Sequence, residues 1–127
     1  VSATVEHGVA RARQELVAAR LLAANGFAAQ AVSRAYFAAF YAAEAALLQV
    51  GETRTKDAGV VAAVGRLLVR DRGLDERAGR LLRSLFERRS QADDGLAEVP
   101  VEEAARAVTD AALVVESIER WLPSAGP

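Results

Sequence analysis

An arginine that continues the apolar stripe of a helix is the most chemically suggestive feature of this sequence. Over residues 81–94, helical projection puts Leu82, Leu85 and Phe86 on one face, and Arg89 follows the last two at i+4 and i+3. Arg80, Arg83, Glu87 and Arg88 project to the sides or outward, while Asp93 lies one turn beyond Arg89 on the same side, with Asp94 next to it. A guanidinium entering a core or cleft requires a carboxylate or a bound anion. Two roles therefore stand for Arg89: an ion pair with Asp93 that closes the bundle, or capture of a nucleotide or RNA phosphate in a groove.

A second constellation occupies residues 33–44. Tyr36 and Phe40 share one helical face, as do Phe37 and Tyr41, and that spacing first of all predicts core packing. Arg34 lies in the same helix, which offers little polar surface, so it is expected to reach a carboxylate, either Glu44 or one on another helix, with Asp93 a candidate. The tyrosine hydroxyls would then line a polar pocket beside it. His7, the sole histidine, stands near a frayed helix start without partner residues in sequence and is read as incidental. One histidine and no cysteine exclude thiolate or multi-histidine metal sites and a cysteine nucleophile, and leave no Ser-His-Asp cluster. No metal and no cofactor are expected. Gly59 and Gly65 belong to no phosphate loop and are read as sites of close helix approach.

The elements that must position these residues are all helical. The chain has 127 residues, 52% of them hydrophobic and 26% charged, enough for one ordinary domain and too apolar for disorder. Alanine, the best helix former, supplies 29 residues, and arginine supplies 15 of the 16 basic ones. Periodicity and punctuation divide the chain into five segments. The first spans about 3–24 and stops at Asn25-Gly26; the second spans about 27–50 and stops at Gly51. A polar connection, 51–56, leads to the third, which starts near Asp57 and ends at Asp71-Arg72-Gly73. The fourth begins after Asp75 as N-cap and frays around 92–95. The fifth has Pro100 in its first turn and is terminated by Pro123. Short connections predict an all-α, four- to five-helix, up-and-down antiparallel bundle, one domain over 1–127 with its core at about 3–122.

Residues 27–48 are long enough to span a membrane, but they contain Arg34 and Glu44 and are mostly alanine, so a buried helix is expected and the protein is read as cytoplasmic. The N-terminus shows no apolar leader before a cleavage site. Net charge is −1, yet residues 66–89 carry +4 and residues 90–127 carry −6. The basic segment either meets phosphates, pairs with the acidic one, or is simply solvated.

The order of a helix reading SRAYFAAFYAAEAALL, then a glycine and a polar loop, then AGVVAAVGRLLV and GRLLRSLFERRSQAD, resembles the HEPN domain family. It is most similar to the small stand-alone HEPN proteins encoded beside a minimal nucleotidyltransferase, over residues 9–118. The resemblance implies an up-and-down helical bundle and a homodimer. Many HEPN proteins are metal-independent ribonucleases whose motif is an arginine followed, after four to six residues, by a histidine. Arg89 matches the arginine, with Arg88 the alternative register; the histidine position falls at Asp94, Gly95 or Leu96, and no histidine follows His7. Relatives in this subgroup carry Arg, three residues, Asp and Tyr; Arg89 and Asp93 match, and Asp94 replaces the tyrosine that some partners adenylylate. Asp57 stands where relatives often have a histidine.

The resulting expectation is an RNA- or nucleotide-binding partner of a minimal nucleotidyltransferase in a toxin–antitoxin or defence-type module. Arg89 and Asp93 would line the groove, with Arg34 and Tyr36 in support. The alternatives are a metal-independent ribonuclease using Arg89 with Asp93 or Asp94, and a purely structural dimerisation domain.

Overall fold

A computed structural model describes residues 1–54 and 56–126; Thr55, in the polar connection, lies outside them. Among the described residues there are five α-helices and no strand: α1 (Ala3–Ala24), α2 (Ala28–Gln49), α3 (Asp57–Ala63), α4 (Glu76–Asp94) and α5 (Val101–Ala125). Helix α3 passes without a break into a π-helical stretch, Val64–Arg70. The expected all-α bundle is therefore what the chain forms. None of its helices is long and apolar enough to cross a membrane.

Local chemistry sets the ends. Ser2 caps α1 by accepting from the Val5 N–H (3.2 Å), and Asp75 caps α4 by accepting from the Arg77 N–H (2.9 Å). Helices α1 and α2 stop alike: Gly26 (φ 85°) and Gly51 (φ 81°) turn left-handed, and the next residues, Phe27 and Glu52, donate back to Leu22 and Leu47. Pro100 is the N-cap of α5 and does not enter its first turn. At the other end, Pro123 does not terminate α5 but lies inside its last turns. Its missing N–H would have bonded Glu119; the helix continues to Ala125, where Ser124 Oγ donates to the Trp121 carbonyl and Gln49 Nε2 to that of Gly126.

Helix α2 is central. It packs against every other helix, and twelve of its residues are buried, seven of them between Ala31 and Phe40. The pairings Gly8 with Ala45, Arg11 with Tyr41 and Glu15 with Arg34 run in opposite directions along α1 and α2, so the two are antiparallel. Helix α4 crosses the other side of α2 where Tyr36 meets Phe86 (ring centroids 5.8 Å apart). Helix α5 completes the ring, with Val114, Val115 and Ile118 in the core. Trp121 Nε1 ties it to the Arg72 carbonyl, two residues beyond the π-helical stretch (2.9 Å).

The glycines that mediate close approach are not those the sequence suggested. A Cβ on Gly65 would meet nothing within 4 Å, and one on Gly59 would meet only the Arg54 side chain at 3.8 Å. The tight contacts are at Gly8, where a Cβ would stand 3.0 Å from Ala45 Cβ, and at Gly79, 3.2 Å from Val69 Cγ2. Ala45 Cβ is fixed to its backbone, so α1 and α2 would have to separate. Gly8→Ala is expected to destabilise the protein, with overpacking of ~1–3 kcal/mol exceeding the helix-propensity gain of ~1 kcal/mol. Gly65→Ala is expected to stabilise it by up to ~1 kcal/mol. Urea denaturation of the two variants beside wild type checks the opposite signs.

Candidate functional site

The Arg88-Arg89 doublet on α4 splits between two neighbours. Arg88 Nη2 donates to Asp110 Oδ2 on α5 (2.9 Å), and its Nε to the Ser84 carbonyl (3.4 Å). Of the sideward or outward projection expected of Arg88, the sideward one holds: it reaches a carboxylate on α5, and its side chain is only 17% exposed. Arg89, one residue on and about 100° around the helix, faces α2 and the start of α3.

Arg89 is held on two sides. Its Nε donates to Asp93 Oδ2 (3.0 Å), the ion pair that the i, i+4 spacing predicted. Its Nη1 donates to Asp57 Oδ2 (3.0 Å), the first residue of α3. The same Asp57 oxygen accepts from Tyr36 Oη at 3.0 Å. The guanidinium lies over two rings of α2, 5.0 Å from the Phe37 centroid and 5.4 Å from that of Tyr36. Three helices thus converge on one charge network: Tyr36 from α2, Asp57 from α3, Arg89 and Asp93 from α4. Formally its one cation faces two carboxylates, yet no bond among the described residues engages Arg89 Nη2.

Arg34 is not part of this network. It pairs with a carboxylate on another helix, as expected, but with Glu15 of α1 (3.2 Å) and with neither Glu44 nor Asp93; Glu15 also takes Arg11 Nε (3.2 Å). Glu15 is a buried carboxylate on the inward face of α1 beside Ala12, Leu16 and Ala19, and a buried charge requires such partners. Arg34 still flanks the site. Its guanidinium lies 4.7 Å from the centroid of the Phe37 ring that Arg89 also covers, and Arg34 and Asp93 line one groove of about 510 Å³ with Leu22, Ala29, Gln30 and Ser33. Asp94 is exposed at the shallow mouth beyond Arg89 and forms no ion pair among the described residues. His7 lines a different pocket, with Tyr41 and Glu44.

Sequence reasoning missed Asp57 and Glu15 as partners. Glu15 was legible in principle, since it falls on the buried stripe of α1. From sequence Asp57 stands out as the start of the third segment and as a replaced histidine, and nothing local shows that a residue 32 positions away reaches Arg89.

The family model of the HEPN domain matches residues 5–121, nearly all of the chain that carries this network. The chain belongs to the HEPN domain family. Two relatives agree. A Methanocaldococcus jannaschii protein, "Putative toxin MJ0605", is 32% identical over 111 residues, covering 87% of this chain and 83% of its own. A Thermotoga maritima "UPF0332 protein" is 36% identical over 91 residues, covering 72% and 69% respectively.

Within this HEPN domain the phenol of Tyr36 is held protonated far above its ordinary value near 10, by burial first, then by its hydrogen bond to Asp57 and that carboxylate's charge. The folded phenol is therefore neutral where the unfolded one ionises. Its contribution to stability is complete below about pH 10 and is lost as pH rises beyond it. At neutral pH, Tyr36→Phe is expected to cost about 1 kcal/mol, with Asp57 still held by Arg89. Urea midpoints measured from pH 8 to 11 should show the gap between wild type and Tyr36→Phe narrowing above about pH 10.

Proposed function

We propose that this HEPN-domain protein is the RNA- or nucleotide-binding component of a toxin–antitoxin-type module. It acts with a separately encoded minimal nucleotidyltransferase and binds without cleaving. The observation that carries this reading is the setting of Arg89: a cation fixed over two aromatic rings, with Nη2 unbonded among the described residues, lining a shallow surface groove with Asp93 and Asp94, and with no imidazole in the cluster. A rigidly held guanidinium is suited to a phosphate because its planar fork loses little freedom on binding. Cleavage of RNA needs a group that gives and takes protons near neutrality, and the residues around Arg89 are two carboxylates and a tyrosine that stays protonated. The name carried by the Methanocaldococcus jannaschii relative supports placement in a toxin-type module.

The chain acts as a homodimer in this reading. Val17 and Leu21, one turn apart on α1, and Phe27 at the α1–α2 corner are exposed, and they would supply apolar area for a second copy.

An incoming phosphate has to compete with the carboxylates that hold Arg89, and Asp93 is the more exposed of the two. Asp93→Asn is therefore expected to tighten binding of labelled RNA or nucleotide several-fold, and Arg89→Ala to weaken it about tenfold, the equivalent of ~1.4 kcal/mol. Filter binding at fixed salt reads both. In parallel, a labelled total-RNA pool incubated without divalent metal should stay intact with wild type, Arg89→Ala and Asp93→Ala. Cleavage that disappears with Arg89→Ala would instead make the protein a ribonuclease. Binding unchanged in both variants, with no complex on co-expression with a nucleotidyltransferase encoded next to it, would leave the dimerisation role alone.

A further inference from the structure

A second pocket lies outside the Arg89 network. It is bounded by the start of α1 (Thr4, His7, Gly8), the second half of α2 (Tyr41, Glu44, Ala45, Leu48) and the connection at residues 52–54, and it encloses about 300 Å³. Its walls are mainly hydrocarbon. Gly8 and Ala45, where α1 and α2 are in tight contact, both line it.

Alongside His7, Glu52 and Arg54, which also line it, Glu44 is the carboxylate that forms no ion pair among the described residues. It is half-buried, and no cation among the described residues compensates its charge. The arginines beside the pocket are already committed, and His7, which also lines it, forms no hydrogen bond with Glu44 among the described residues. Arg54 donates to Glu52 (3.0 Å), and Arg11, which covers the Tyr41 ring at 4.7 Å, donates to Glu15 (3.2 Å). Burial and the charge of Asp57 both push the Glu44 carboxyl above its ordinary value of 4.5. A carboxylate kept in an apolar recess against that pressure gains most from a counterion brought in with hydrocarbon attached.

We propose that this pocket binds a small organic cation, an ammonium on a compact apolar body, with the charge on Glu44 and the body against Leu48, Ala45 and Tyr41. The volume stands at the low end for ligand pockets, which limits the body to about one ring. The Thr4 and Thr53 side chains at the rim can accept hydrogen bonds from an ammonium.

Benzylamine tests the proposal against benzyl alcohol, its neutral counterpart, and benzoate, its anion. Titration into isotopically labelled full-length protein is expected to give saturable amide shifts confined to residues around Thr4, Gly8, Leu48 and Thr53. Benzyl alcohol should bind at least tenfold more weakly, and benzoate not at all. Glu44→Gln should reduce benzylamine affinity about tenfold while melting no lower than wild type, since it removes a strained charge. Leu48→Trp, at a part-exposed wall position, should block the pocket with Glu44 intact. Arg89→Ala should leave benzylamine binding in place, which separates this site from the phosphate-binding reading. Equal affinity for benzyl alcohol, binding that survives Glu44→Gln or Leu48→Trp, or the absence of saturable shifts would each overturn the proposal.

Discussion

Helix α2 has almost no side to give to water, and most of the structure follows from that. Alanine at Ala31, Ala35, Ala38, Ala39, Ala42, Ala43, Ala45 and Ala46 keeps its surface thin, so neighbouring helices approach its backbone closely and bury it from several directions. A polar side chain on such a helix cannot simply turn to solvent. It must be met by a partner from whichever helix covers it, or it carries a desolvation cost. Arg34 is met by Glu15 of α1, and Tyr36 by Asp57 of α3. Glu44 is met by no described cation.

The same constraint accounts for the arginine doublet of α4. Consecutive residues on a helix face different neighbours, so Arg88 and Arg89 cannot share one partner. Arg88 is spent on Asp110 and contributes to holding α4 on α5. Arg89 faces the aromatic surface of α2, where Asp57 and Asp93 fix its orientation without using all of its donors. A cation placed this way keeps donor capacity while its charge is balanced by its own carboxylates. Membership of the HEPN family sets the scaffold, whereas the residues around Arg89 set which chemistry it can perform.

Packing also decided where small residues matter. Gly59 and Gly65 interrupt the apolar pattern of one segment, and propensity alone singles them out. They lie away from the tight contacts, and Gly65 belongs to the π-helical stretch. The close crossings fall at Gly8 and Gly79, positions with no local signature, because a crossing point depends on where two helices meet.

By itself the sequence determined the helices, most of their ends and the buried stripes, since these rest on periodicity, caps and turn residues within a few positions of one another. It also determined the Arg89–Asp93 pair, which needs only the pitch of one helix. It carried the family, through the order of its segments. The tertiary structure decided which carboxylate each inward arginine meets. Glu15 lies 19 residues from Arg34, Asp57 lies 32 from Arg89, and Asp110 lies 22 from Arg88. Those partners are set by how helices pack side by side, a relation that no spacing along the chain encodes.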